Sequence, residues 1–207
     1  MEEVTALLLI RHAANDALRD GWLPGRKPGL HLNAEGRQQA LALAERLATV
    51  SLAAVCSSPL ERALETAEPL AARQGLSVTI CPELTEADAG RWTGEQMERL
   101  RRRSAWRALW IYPTGSRPPG GESAWEMQVR MVGALEEIRR AFSGKTVAVV
   151  SHADPIRVAV AHYLGLPLDL YRRLAVSPAS VTTLLFGGPY PYPRLAGIND
   201  TGAVVVS

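Results

Sequence analysis

Two apolar runs in this chain end abruptly on groups that seek water or an anion. Residues 7–12 read LLLIRH, closing on Arg11 and His12, and residues 147–152 read VAVVSH, closing on Ser151 and His152. Arg62 follows the SSP turn at 57–59, and Glu86 and Asp88 follow another apolar-to-polar change at 84–85. Two guanidinium groups can clamp an anion of diffuse charge, as a phosphoryl group in transfer is. A histidine among arginines can serve as nucleophile or base, since the cations disfavour its imidazolium and leave a neutral ring nitrogen. A second histidine can donate to the phosphoryl oxygens. One carboxyl group can protonate a leaving oxygen and later take a proton from water. With that much fixed positive charge, the chemistry needs no separate metal and no cofactor.

These residues need a frame that brings them to one place. Val4–Ile10 reads as a strand apolar on both faces. Asn33 caps a helix running to about Val50, with Leu41, Leu47 and alanines as its apolar face. Ala53–Ser57 is a second strand, and Ser58–Pro59 signals the start of a helix that runs toward Gly75. Ser77–Cys81 is a third strand. An arginine-rich helix spans Glu95 to about Trp110, and Ser123 with Glu126 forms a capping box for a helix ending near Gly144. Thr146–Val150 is a fourth strand, and Asp154–Pro155 opens a helix that stops at Gly165. Val181–Phe186 and the stretch ending in Val204–Val206 read as late edge strands.

Strands alternating with helices, the strands apolar throughout, predict a single-domain three-layer α/β/α sandwich with a mostly parallel central sheet. Residues 1–207 form that one domain, with a small lid-like insertion around 95–122. In open α/β sheets, ligands bind beyond the carboxyl ends of the strands. Four strand ends carry the same chemistry: Arg11 and His12; Ser57 and Ser58, with Arg62 one turn on; Glu86 and Asp88; Ser151 and His152.

Composition narrows the function classes. The 207 residues are 47% hydrophobic with a net charge of +2, so no global field recruits nucleic acid or a membrane. Of the 23 basic residues only Lys27 and Lys145 are lysine. Arginine's planar fork suits phosphate and carboxylate. Cys56 and Cys81 read as reduced thiols, each in a strand, without metal-ligand spacing. No signal-like leader and no run of transmembrane length is read, so a cytoplasmic location is expected. The chain lacks His-x-His and His-Glu-x-x-His, which weighs against a zinc hydrolase. A module that merely binds phosphate would not need Glu86 among the arginines.

Five blocks carry a resemblance. LLLIRHAAND resembles the Arg-His-Gly opening of the histidine phosphatase superfamily, the phosphoglycerate mutase-like proteins. SSPLERALETA, LTEADAGRWTGE, PPGGES and VVSHADPIR are similar to that family's later blocks, in order, over residues 7–157. The resemblance implies that His12 is phosphorylated during turnover, that Arg11, Arg62 and His152 hold the phosphoryl group, and that Glu86 gives and takes the proton. It implies a phosphatase acting on phosphate monoesters of small metabolites, with a phosphomutase as the alternative. The short insertion favours the phosphatase, because a mutase must shield its phosphoenzyme from water.

Three positions depart from the family pattern. Ala13 stands where glycine is usual, Leu18 where asparagine is frequent, and Pro24 where polar residues are common. Asn15 and Arg26 are therefore the expected substitutes for gripping the ester, with Ala153 beside the second histidine. Asp88 and Arg91 are expected to fix the loop of Glu86. His31 and His162 read as bystanders. In ERLRRRSAWRALW, Trp106 and Trp110 stand four apart, as a packed stripe requires, beneath a partial lid. A small phosphorylated molecule is the expected partner, and the protein itself a monomer or homodimer.

Overall fold

A computed structural model describes residues 3–17 and 19–202. The strands are β1 (Val4–Arg11), β2 (Leu52–Ser57), β3 (Val78–Ile80), β4 (Thr146–Ser151), β5 (Val181–Gly187) and β6 (Arg194–Asp200). They form one sheet in the order β3-β2-β4-β1-β5-β6. The first four in that order run parallel, whereas β5 lies antiparallel to β1, and β6 to β5. The principal helices are α1 (Ala34–Arg46), α2 (Glu61–Arg73), α3 (Met97–Arg101), α4 (Ser104–Ile111), α5 (Ala124–Ala141) and α6 (Ala153–Tyr163).

The alternation of side chains along a strand builds the three layers. Leu7 and Leu9 of β1 face one side and pack with Met131 and Leu135 of α5 and with Ile156 and Val160 of α6. Leu8 and Ile10 face the other side and pack with Leu43 of α1 and with Ala63, Ala67 and Leu70 of α2. A strand covered on both faces has no use for polar residues until it ends. This is why β1 is apolar up to Arg11.

Several elements differ from the sequence expectation. Helix α1 ends at Arg46, and Leu41 is 60% exposed; the buried face runs through Ala40, Leu43, Ala44 and Leu47, one helical step away. Strand β5 is an interior strand, held between β1 and β6, because a single hairpin extends the sheet past it. The edge is β6, and Val204–Val206 lie outside the described residues. Cys81 follows β3 rather than closing it and is half-buried, while Cys56 is buried; both are free thiols. Helix α2 starts at Glu61, with Leu60 at the cap position. There Ser58 Oγ accepts from the Leu60 N–H (3.3 Å), so Pro59 precedes the first turn.

The arginine-rich helix is two short helices. Arg103 turns back to pair with both carboxylate oxygens of Glu95 (3.1 and 2.7 Å), and the chain breaks there between α3 and α4. Trp106 is buried against Trp92, but Trp110 is 53% exposed, so the stripe is packed at one end only. The capping box is present: Ser123 Oγ accepts from the Glu126 N–H, and the Glu126 carboxylate accepts from the Ser123 N–H.

Candidate active site

At the carboxyl end of the sheet, β1 and β4 run side by side, with Arg11 in register with Ser151. The residues that follow, His12 and His152, are therefore neighbours, their ring centroids 5.1 Å apart and inclined by 58°. Both rings are buried, as is the whole of Arg62, one of the largest side chains in the interior.

Hydrogen bonds select one nitrogen on each ring. His12 Nδ1 donates to its own neighbour's carbonyl, Ala13 O (2.7 Å), which leaves the Nε2 lone pair free. On the second ring, His152 Nε2 meets Ser58 Oγ (2.8 Å). Ser58 Oγ accepts from the Leu60 N–H, and among the described residues its own proton has no acceptor other than His152 Nε2, so the hydroxyl donates to that nitrogen. His152 then carries its proton on Nδ1, a buried nitrogen with no partner among the described residues. One ring offers a lone pair and the other an N–H.

The arginines are similarly arranged. Arg62 donates from Nη2 to Gly25 O (2.9 Å), while its Nε and Nη1 are buried without a partner among the described residues. Arg11 donates from Nη1 to Val176 O (2.7 Å), and its Nε is likewise unpartnered. Leaving a buried donor unsatisfied costs about 1–3 kcal/mol, and more for a charged group. Four such N–H positions from three strand ends make a site poised for an anion.

Burial and these cations set the charge states. His12 is pushed down to about 3, chiefly by burial and then by Arg62 and Arg11, against the opposing pull of the Ala13 carbonyl. His152 lies well below the ordinary histidine value for the same first reason, helped by His12 and Arg62. Both rings are neutral at pH 7. Glu86 is pushed up to about 7 by burial and by Asp154, with Arg62, the Ala87 N–H and Arg11 opposing. Its Oε1 accepts from the Ala87 N–H (2.8 Å), and its Oε2 lies 3.9 Å from His152 Nδ1.

Glu86 sits on a loop, and the loop is stapled from outside. Arg26 Nε (2.8 Å) and Arg130 Nη2 (3.1 Å) both donate to Glu86 O. Glu122 pairs with both arginines, at 3.0 Å and 2.6 Å, and accepts from the Asp88 N–H (2.9 Å). Asp88 accepts from the Gly90 N–H (2.8 Å). Gly90, at φ +52°, touches the backbone of residues 119–121 so closely that a Cβ would lie 2.4 Å from Pro119 O. Ser151 Oγ ties the loop's other side to β4 through Leu84 O (2.7 Å).

Arg130→Ala should therefore lower kcat on an alkyl phosphate by on the order of 10–10²-fold with little change in KM, because it loosens the placement of Glu86 rather than substrate contact. Steady-state kinetics with a thermal melt check this. An unchanged kcat in a folded variant would mean that Arg26 and Glu122 suffice.

The sequence-derived candidates thus separate into two groups. Arg11, His12, Arg62, Glu86 and His152 converge. Asn15 and Ala153 line the same cavity, Asn15 Oδ1 also accepting from the Ala17 N–H. Arg26 is engaged by Glu86 O, Asp88 and Glu122, so it braces the loop instead of facing the cavity. Among the described residues Arg91 contributes a backbone bond to Pro119 O, and the side chains of Arg26, Arg130 and Glu122 do the bracing. Leu18 lies outside the described residues.

Four residues escaped sequence reasoning: Ser58 as the partner of His152, Arg130, Glu122, and Thr66. Thr66 Oγ1 accepts from the Ala13 N–H (3.0 Å) and donates to Arg62 O (2.7 Å), joining the first motif to the second. Ser58 and Thr66 lie within the block SSPLERALETA and Glu122 within PPGGES, whereas Arg130 lies in none of the blocks. Ala13 is fully buried among Leu32, Ala40 and Ala179, so its methyl group occupies packed space.

The site opens into a cavity of about 450 Å³. Among the described residues, no three His, Cys, Asp or Glu side chains are grouped as a metal ion would need. No helix among them is long and apolar enough to cross a membrane.

Residues 7–201 match the model of the histidine phosphatase superfamily (branch 1). Phosphoserine phosphatase 1 of Hydrogenobacter thermophilus is 33% identical over 184 residues, covering 86% of this chain and 85% of its own. A probable phosphoglycerate mutase of Salmonella choleraesuis is 31% identical over 178 residues, covering 85% and 82%. The structure of mycobacterial glucosyl-3-phosphoglycerate phosphatase superposes with a TM-score of 0.84 at 27% identity, over 95% of this chain and 99% of that one. With the paired histidines, the arginines and this match over nearly its whole length, the chain belongs to the histidine phosphatase superfamily, branch 1.

Proposed function

We propose that this protein hydrolyses phosphate monoesters of small metabolites through a phosphohistidine on His12, without a metal. The observation that carries this reading is the set of buried, unpartnered N–H groups of Arg11, Arg62 and His152 beside a neutral histidine whose Nε2 is free. His12 Nε2 attacks phosphorus as the bond to the ester oxygen breaks. Glu86, neutral for a large fraction of the time near pH 7, gives its proton to that oxygen. The Glu86 carboxylate then takes a proton from water, whose oxygen attacks phosphorus and breaks the P–N bond. Phosphate leaves, and Glu86 has its proton back.

The two arginines supply the positive charge that a metal ion provides elsewhere, and the His152 N–H adds a neutral donor. Activity should therefore be unchanged by dialysis against a chelator, and vanadate, a mimic of five-coordinate phosphorus, should inhibit. Activity lost to a chelator and restored by zinc would overturn metal independence. A phosphomutase shares the first half of this reaction. Turnover of phosphoglycerate that requires a bisphosphorylated primer and releases no phosphate would establish that alternative. A small phosphorylated substrate as partner, a monomeric or homodimeric state and a cytoplasmic setting suited to the free thiols Cys56 and Cys81 belong to the same proposal.

A further inference from the structure

The cavity that receives the ester is built from two unlike ends. At the phosphoryl end it is lined by Arg11 and His12, with the fully buried Arg62 and His152 adjoining them. Beyond it the wall is apolar: Trp92, Trp106, Trp110, Met97, Met127 and Tyr171 all line the same space. The tryptophans form a tilted ladder, with centroids 5.6 Å apart between Trp92 and Trp106 and 6.2 Å between Trp106 and Trp110. A volume of about 450 Å³ lies in the range of pockets that enclose a drug-sized ring system.

The charged groups on the far wall are already engaged. Arg157 donates to Leu174 O (2.9 Å) and to Asp154 (2.9 Å). Arg172 donates to Leu109 O and lies 3.5 Å from Asp154, with its guanidinium over the rings of Trp110 (4.8 Å) and Tyr171 (4.9 Å). Asp88 and Glu122 are held in the staple around Glu86. Arg157 and Arg172 thus share the one carboxylate of Asp154, and each also donates to a backbone carbonyl. A flat apolar group would cover the tryptophan ladder with Met97 and Met127, and sulfur–aromatic contact adds to that burial.

Resting on the phosphatase reading above, we infer that the substrate is a phosphate monoester whose alcohol carries a large aromatic or similarly apolar ring.

The test uses esters with nearly the same primary alkoxide leaving group, so that only the ring changes. The series is ethyl, 2-phenylethyl and 2-(2-naphthyl)ethyl phosphate, alongside phosphoserine and 3-phosphoglycerate. Burying a bicyclic ring should raise kcat/KM by roughly 10²-fold from the ethyl to the naphthylethyl ester. Both acids should fall below the phenylethyl ester. Trp110→Ala, a change at a half-exposed side chain, should narrow the naphthylethyl-to-ethyl ratio by roughly 5–10-fold. Phosphoserine or 3-phosphoglycerate outperforming the phenylethyl ester would overturn the inference while leaving the phosphatase reading intact. So would a naphthylethyl-to-ethyl ratio near one, or a ratio unmoved by Trp110→Ala.

If none of the esters is hydrolysed, the phosphatase reading fails, and the pocket is tested by binding instead. Calorimetry with ethylphosphonate and 2-(2-naphthyl)ethylphosphonate should then show at least 10-fold tighter binding of the second. Equal affinities would overturn the inference about the pocket.

Discussion

Replacing His12 by alanine is expected to reduce kcat on any phosphate monoester by roughly 10⁴–10⁶-fold, the scale seen when a covalent nucleophile is removed. The reason is local. His12 offers an unengaged ring lone pair at Nε2 in a neutral state enforced by burial and two arginines. His152 cannot stand in for it, because the hydroxyl of Ser58 directs a proton to its Nε2 and leaves Nδ1 as a donor. Brief mixing of the native protein with ³²P-labelled substrate, followed by rapid quench, should yield an adduct that acid destroys and base preserves. Peptide mapping should place it on residue 12. A phosphorylated peptide from elsewhere, or a His12→Ala protein with native turnover, would overturn the assignment. The variant should fold, since His12 is held by one hydrogen bond to an adjacent carbonyl.

The second large effect concerns Glu86→Gln, and it depends on the leaving group. An alkyl alcohol departs as a strongly basic alkoxide unless it is protonated. Losing the acid should therefore cost roughly 10²–10⁴-fold in the rate at which an alkyl phosphate phosphorylates the enzyme. A nitrophenyl phosphate has a leaving group that departs unprotonated, so the same step should lose far less. Water attack still needs a base, and the nitrophenyl ester should show a burst of nitrophenol followed by slow turnover. Rapid-quench rates on both esters decide the matter. Equal losses would mean that Glu86 only positions or binds, leaving Asp88 or His152 as the proton donor.

Stability supplies an independent readout of the same carboxyl group. A carboxyl whose value in the folded protein is raised, here to about 7, binds its proton more tightly folded than unfolded. The folded state is therefore penalised as pH climbs from the ordinary glutamate value through about 7, and stays penalised above it. Glutamine has no proton to lose. Its advantage in melting temperature over native protein should be larger at pH 8 than at pH 5, and an advantage independent of pH would mean that Glu86 titrates normally. On the native enzyme, kcat/KM for an alkyl ester should fall as pH rises through the same range, as protonated Glu86 is lost.

The sequence alone determined which residues stand at the strand ends. A strand covered on both faces must be apolar until it emerges, so Arg11 with His12 and Ser151 with His152 announce themselves by breaking the run. Asn33 and the Ser123–Glu126 pair were legible for a similar reason, because a helix cap is satisfied within four residues. The layer order also follows from local pattern, since apolar strands between amphipathic helices have only one way to cover both faces. Interactions between distant segments were decided by the tertiary structure. Whether β5 lies at the edge depends on a hairpin, β5–β6, that adds a strand beyond it, and no residue of β5 encodes that neighbour. Leu41 looks apolar in a helical window, yet the choice of buried stripe rests on the angle at which α1 meets the sheet. Arg26, read as a substrate contact, is bound 60 residues away at the Glu86 carbonyl, and Arg130 reaches the same atom across 44. An arginine's type tells that it will find an acceptor. Which acceptor, a ligand's phosphate or a loop's carbonyl, is set by the geometry of the folded chain.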